Sequence, residues 1–312
     1  MKQGIPTCLV SPLSGIPLED AETCLKTEDG AERFEIRGGI AYLLDRSGLD
    51  EFRKKELETF DSLSIRGVHY FRRIFLKKQA RWIGSLLEKL PSRETDCILA
   101  EMGGGEGFWA DAIKKEKRGA QVFVCDLSMN TLKRAPGHIK RVCADITRPI
   151  FRKGSLSLAA FWVSLHHLSS ESQAEALGKA AEALAPGGIL LFFEPNMSFF
   201  PRRIVLNTRL SRDVYLDEHE RSIDFSGISE TLGKLGMTEE TVYYVNPPYN
   251  RNYVRKLKNW HVYMTAVELM YQLEKWILAP LFGKTFSQKQ SRFKRYLSLY
   301  GFFVYRKKSK PA

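Results

Sequence analysis

From about Asp96 onward, short apolar runs alternate with stretches whose apolar residues recur at helical spacing. The runs 97–102, 121–125, 139–143, 156–162, 189–193, 241–245 and 300–305 predict seven strands. Strands that alternate with helices indicate a mostly parallel sheet covered on both faces. The helix between the fourth and fifth strands is well marked. It opens with a capping-box pattern, Ser170-Glu-Ser-Gln173, and ends at Pro186-Gly-Gly188. A later helix over about 226–235 stops at Gly236. Upstream, residues 49–95 read as helices: Phe71, Ile74, Phe75, Ala80, Ile83, Leu86 and Leu87 approximate helical spacing, and Pro91 ends the run. Residues 1–45 are short, strand-like and punctuated by Pro and Gly. The predicted fold class is therefore α/β. A seven-stranded Rossmann-like sheet over 96–312 carries a β-rich appendage at 1–45, helices at 49–95, and a helical insertion at about 250–295.

The segment Ile98-Leu-Ala-Glu101-Met-Gly103-Gly-Gly105-Glu-Gly107 takes an apolar strand into an acid and then through glycines into a helix. Glycines suit such a turn because the backbone must bend tightly and a ligand must approach without Cβ interference. The helix that follows aims its free N–H groups at the ligand. The next strand ends in Asp126, nineteen residues beyond Gly107 and near the offset at which an acid captures ribose hydroxyls. A nicotinamide-dependent dehydrogenase is disfavoured, because its G-x-G-x-x-G fingerprint would place the third glycine one residue later.

Read in order, Glu101-x-Gly-x-Gly-x-Gly107, Asp126-Leu-Ser128, Cys143-Ala-Asp145-Ile146, Leu165-His-His-Leu168 and Leu184-Ala-Pro-Gly-Gly-Ile-Leu190 resemble the ordered motifs of class I S-adenosylmethionine-dependent methyltransferases. The branch of greatest similarity contains the ubiquinone/menaquinone-type enzymes. The resemblance spans about residues 60–245 and implies S-adenosyl-L-methionine as cofactor. It also implies residue roles. Glu101 would lie near the methionine amino end, and Gly103, Gly105 and Gly107 would shape the cofactor turn. Asp126 would accept the ribose hydroxyls, and Leu127 would pack on the adenine. Asp145 would accept from the adenine amino group beside Ile146. Phe161-Trp162 would close over the methionine moiety, and Tyr70 would cover the cofactor. This chain departs from the pattern at Gly104, where Cys or Ser is usual, and at Ser157, where an acid is usual.

Methyl transfer needs a base only where the accepting atom must lose a proton. The candidates for contact with the acceptor are His219, in a charged loop; Glu194, at the end of the fifth strand; and His166, after the fourth. Asn246-Pro-Pro-Tyr249 follows the sixth strand, not the fourth where amino-methylating nucleic-acid enzymes carry it, and reads as a turn.

The N-terminal stretch is similar to the small zinc ribbon fused to some methyltransferases. The first knuckle pair has become Ser11 and Ser14, and the second keeps only Cys24, opposite Thr27. Hydroxyls do not replace thiolates on zinc, so the segment is expected to fold without metal. The five scattered cysteines predict a reducing, cytoplasmic setting rather than a disulfide framework. The first residues lack the apolar core of a signal peptide, and no run of 18 apolar residues occurs.

Charge sharpens the picture at one place. The whole chain carries +12, and residues 250–312 hold fourteen Lys/Arg against only Glu268 and Glu274, so the excess resides there. Aromatic residues between these basic clusters suit a helix in an anionic membrane interface, a lid over the acceptor, or plain packing. The expected partner is a small-molecule or lipid-linked acceptor at a membrane face. The alternatives are ribosomal or transfer RNA methylation, served by the basic tail, and a non-catalytic partner protein that keeps only the fold.

Overall fold

The computed structural model describes residues 8–62, 72–88, 97–196, 198–199, 223, 225–249, 260–286 and 289–309. Four short strands come first: β1 (Leu18–Asp20), β2 (Cys24–Thr27), β3 (Arg33–Arg37) and β4 (Ile40–Tyr42). Two helices follow, α1 (Glu51–Ser62) and α2 (Arg73–Leu87). The alternating part is β5 (Ile98–Met102), α3 (Phe108–Glu116), β6 (Gln121–Asp126), α4 (Met129–Leu132), β7 (Lys140–Cys143), β8 (Leu156–Trp162), α5 (Ser170–Ala183) and β9 (Leu184–Pro195). Then come α6 (Phe225–Lys234), β10 (Met237–Val245), α7 (Trp260–Leu273), a π-helical stretch Glu274–Leu278, α8 (Ala279–Phe282), a 3₁₀ stretch Arg292–Leu297 and β11 (Tyr300–Lys307).

All seven predicted strands are present as β5 to β11, in the order β7-β6-β5-β8-β9-β11-β10. Pairing is parallel from β7 to β9, and β11 then inserts antiparallel between β9 and β10. The expectation of a seven-stranded sheet with a β-rich appendage beside it needs correction in its strand count. β4 pairs parallel with β7, so the N-terminal meander continues the sheet to eleven strands. A bare β7 edge would leave its N–H and C=O groups unpaired, and β4 satisfies them.

Strand alternation builds two apolar layers. Ala100, Met102, Phe123, Phe161 and Phe192 face a layer shared with α5, α6 and the N-terminal strands. Leu99, Val124, Ala160, Phe193 and Phe302 face the layer of α2, α3 and α7. Both faces of the central strands are buried, as parallel crossovers require. Within α2 the buried stripe is Phe75, Leu76, Gln79, Ala80, Ile83, Leu86 and Leu87, while Ile74 points to solvent.

The cap of α5 lies one residue earlier than the sequence pattern predicts. Ser169 is the N-cap and accepts from the Ser172 amide, while Gln173 turns its amide to the Leu168 carbonyl. Ser169→Ala is therefore expected to lower stability by about 1 kcal/mol, read as a shift in the urea midpoint at constant slope.

Where a zinc ribbon carries its knuckles, this chain has a hydrogen-bonded network. Ser11 Oγ accepts from the Leu13 and Ser14 amides and donates to Glu32. Thr27 Oγ1 donates to Asp29 at 2.5 Å and accepts from the Glu32 amide. Ser11 and Thr27 are fully buried, and all five cysteines are free.

The insertion between β10 and β11 is helical and firmly anchored. Lys294 Nζ, fully buried, donates to Glu274 at 2.6 Å and to the Gly283 carbonyl at 3.0 Å. Asn246 donates to the Leu297 carbonyl and accepts from the Leu299 amide, which makes the Asn-Pro-Pro-Tyr turn a structural tie.

Candidate active site

At the carboxyl ends of β5, β6 and β8 lies a cavity of about 200 Å³. Open α/β sheets bind ligands there, because the loops after the strands diverge around a crevice. The turn after β5 is tied to the neighbouring strand: the amides of Gly103 and Gly104 both donate to the Cys125 carbonyl. Gly103 has φ +68°, and a Cβ there would lie 2.8 Å from Ser164 Cβ, so only glycine fits. At Gly104 the limit is a side chain and not the backbone: a Cβ would fall 2.5 Å from Glu101 Cδ. The Glu101 side chain occupies the space that the usual Cys or Ser would need.

Glu101, Asp126 and Asp145 all face this one cavity, with Glu56 and Glu106 also in its lining. Glu101 is buried and accepts from the Ala110 amide at 3.0 Å, inside the first turns of α3. Burial pushes its carboxyl up to about 8, against that hydrogen bond. Asp126 accepts from the Gly105 and Ser128 amides, both at 2.8 Å, and burial raises its pKa. Asp145 accepts from the amide and hydroxyl of Thr147 through one oxygen and pairs with Arg53 through the other. Leu127, Ile146, Gly103 and Gly105 also line the cavity. Gly107 does not: it is the left-handed N-cap of α3, and its α-carbon faces Val124 and Ala135.

The wall after β8 corrects two expectations. Phe161 is fully buried in the opposite layer, and its neighbour Trp162 lines the cavity instead, because successive strand residues point to opposite faces. Trp162 is stacked between Phe193 and Trp109, at ring distances of 4.6 and 6.2 Å. Glu194 and His166 do not line the cavity either. Fully buried Glu194 accepts from the Ser164 and Leu165 amides at 2.9 and 2.8 Å, and its other oxygen lies 2.7 Å from His166 Nδ1. Together they clamp the loop after β8 from behind, and burial pushes Glu194 up to about 8. His219 and Tyr70 lie outside the described residues.

Several lining residues carry no motif. Val163 sits at φ +53°, rare for a β-branched residue, and is held there by its amide donating to the Phe193 carbonyl. His167, not His166, reaches the cavity, with its ring edge-on to Phe60 at 5.5 Å. The roof is α1, which contributes Phe52, Arg53, Glu56, Leu57 and Phe60. It is pinned at both ends: Arg53 to Asp145, and Asp61 accepting from Ser128 Oγ at 2.6 Å. That helices over 49–95 cover the cofactor is expected from the resemblance; which α1 residues face the crevice is not marked by any local signal.

Residues 99–188 match a family model described as a methyltransferase domain, less than a third of the chain. No curated protein matches the sequence. Among solved structures, the chain is similar to geranyl diphosphate C-methyltransferase from Streptomyces coelicolor A3(2), in complex with Mg²⁺, geranyl diphosphate and S-adenosyl-L-homocysteine. That likeness has a TM-score of 0.52 at 13% identity, over 83% of this chain and 98% of that one. A geranyl diphosphate methyltransferase with sinefungin gives 0.52 at 12%, over 82% and 99%. A phosphoethanolamine N-methyltransferase of Haemonchus contortus gives 0.47 at 18%; the match covers 74% of this chain but only 53% of that longer protein. The shared fold is that of the α/β methyltransferases, and residues 99–188 carry the sequence pattern of a methyltransferase domain.

Proposed function

We propose that the protein transfers a methyl group from S-adenosylmethionine to a small, largely apolar or lipid-linked acceptor. The observation that carries this reading is the convergence of Gly105, Glu101, Asp126 and Asp145 on one cavity. The residues suit that cofactor. Gly105 leaves its α-carbon open toward the space beside Asp126, with no other atom nearer than 3.9 Å to a Cβ placed there. Glu101, Asp126 and Asp145 would take the ammonium, the ribose and the adenine amino group. Asp145 keeps acceptor capacity beyond Thr147 and Arg53, since each carboxylate oxygen has two lone pairs.

The bound cofactor would supply a methyl group already activated on a sulfonium. The chain's own task is to orient and to exclude water. Asp126 would hold the ribose hydroxyls, and Leu127 and Ile146 would pack on the base. Trp162, Phe52, Phe60 and Leu76 give the rest of the cavity an apolar lining, which favours an uncharged acceptor of the kind the quinone-type resemblance implies. The solved relative that holds geranyl diphosphate supports a small-molecule acceptor.

Glu101 provides the test. Near pH 7 its carboxyl, pushed up to about 8, is mostly protonated. A cofactor ammonium beside it favours the ionised form, so binding releases a proton. Calorimetry of S-adenosylmethionine binding at pH 7 should show an enthalpy that changes with the buffer's ionisation heat, corresponding to up to about one proton. In Glu101→Gln that dependence should vanish. Absence of any binding heat or thermal shift would remove the cofactor reading.

A further inference from the structure

Six of the ten exposed large apolar side chains among the described residues lie on the insertion: Leu269, Trp276, Ile277, Leu281, Phe293 and Tyr296. Soluble surfaces seldom gather such residues unless something covers them. Their placement is ordered. Along the continuous α7–π–α8 helix, Leu269 and Trp276 are seven residues apart on one stripe, and Ile277 and Leu281 are four apart on the next. Gln272 accepts from Trp276 Nε1 at 3.2 Å. Phe293 joins the patch through Phe282, at a ring distance of 5.7 Å, and continues it to Tyr296 at 6.0 Å.

Exposed cations border the patch: Lys275, Lys284, Lys289, Arg292 and Arg295. The two acids of the segment are turned inward, Glu274 to buried Lys294 and Glu268 to Arg72. Lys275 Nζ lies 4.4 Å from the Trp276 ring centre, and the Arg295 guanidinium 4.6 Å from that of Tyr296. No helix among the described residues is long and apolar enough to cross a membrane.

We infer that this face docks on an anionic lipid bilayer, lying in its interface. Aromatic rings suit the headgroup level, aliphatic side chains the acyl boundary below it, and Lys/Arg the lipid phosphates. A nucleic acid would use the cations and rings but has no use for Leu269, Ile277 and Leu281. An acceptor that fits an apolar cavity also partitions into membranes, so the docking would serve the proposed reaction, though its evidence is separate.

Sedimentation of the full-length protein with sucrose-loaded vesicles tests it. Most of the protein should pellet with phosphatidylcholine vesicles containing phosphatidylglycerol, and little with phosphatidylcholine alone. Trp276→Ser/Leu281→Ser/Phe293→Ser should weaken the association by roughly tenfold or more, and Lys275→Glu/Arg292→Glu/Arg295→Glu should abolish the preference for anionic lipid. All six positions are exposed, so the folded far-UV and thermal signatures should persist. The inference is overturned if the protein stays in the supernatant with both vesicles, or if the apolar triple variant binds like the parent. It is equally overturned if single-stranded RNA binds the face, displaces vesicles, and is held undiminished by that variant. The vesicle assay contains no cofactor, so its failure leaves the cofactor reading standing, and the reverse.

Discussion

Replacing Asp126 by alanine is expected to weaken S-adenosylmethionine binding by roughly a hundredfold or more. The proposed role gives its carboxylate two ribose hydroxyls, and each hydrogen bond to a charged group contributes about 1.5–3 kcal/mol. Since about 1.4 kcal/mol is tenfold in affinity, losing both comfortably exceeds two decades. The turn itself should survive. Gly103 and Gly104 remain tied to the Cys125 carbonyl, only the Gly105 and Ser128 amides lose their acceptor, and the Thr131 hydroxyl keeps the Ser128 carbonyl. Calorimetry alongside a melting curve separates the two effects. Asp126→Asn, which keeps one oxygen for Gly105, should recover stability more than affinity. A loss in affinity under about threefold would show that the crevice holds its ligand by other groups.

The second large effect concerns the insertion. Lys294→Met should cost about 3–5 kcal/mol, because it leaves Glu274 buried beside Asn246 without its cation. Lys294→Met/Glu274→Leu should return to within about 1–2 kcal/mol of the parent, since apolar replacement of both partners removes the stranded charge. The single variant should also gain a pH dependence. Burial already raises the Glu274 carboxyl, and loss of Lys294 removes the influence that opposes this. With the folded pKa above the unfolded one, stability is highest when the group is protonated and falls as pH rises through the folded value. The penalty should therefore be greater at pH 8 than at pH 5, read from guanidinium midpoints. Equal stability of parent and single variant would mean that the pair is not desolvated.

Much of the frame was legible from local pattern. The seven strands β5 to β11 fall within a few residues of the apolar runs; the central ones do so because a strand buried on both faces must be nearly continuously apolar, whereas the outer β10 leaves Thr238, Glu239 and Glu240 exposed. β9 alone begins well early, at Leu184, where Pro186-Gly-Gly188 predicts a helix end. The glycine turn, Glu101, Asp126 and Asp145 were legible for a similar reason: each lies at or just beyond the carboxyl end of a strand, so topology alone brings them together. Residue parity was not. Phe161 and Trp162 are both apolar and adjacent, and only the pleat decides that Trp162 meets the crevice. His166 and His167 differ in the same way: one is held from behind by Glu194, and the other stands against Phe60.

The sequence by itself determined the alternation of strands and helices, the glycine turn with its ordered acids, and the basic excess near the carboxyl terminus. These follow from backbone geometry, hydrophobic period and composition, which act locally. Only the tertiary structure decided that β4 extends the sheet through β7, that α1 roofs the cavity through Arg53 and Asp61, and that Glu194 faces inward. It also decided which side of the insertion keeps its apolar residues in the open. Each of these depends on contacts between segments far apart in the chain, where burial and hydrogen-bond satisfaction of the whole molecule choose among locally equivalent arrangements.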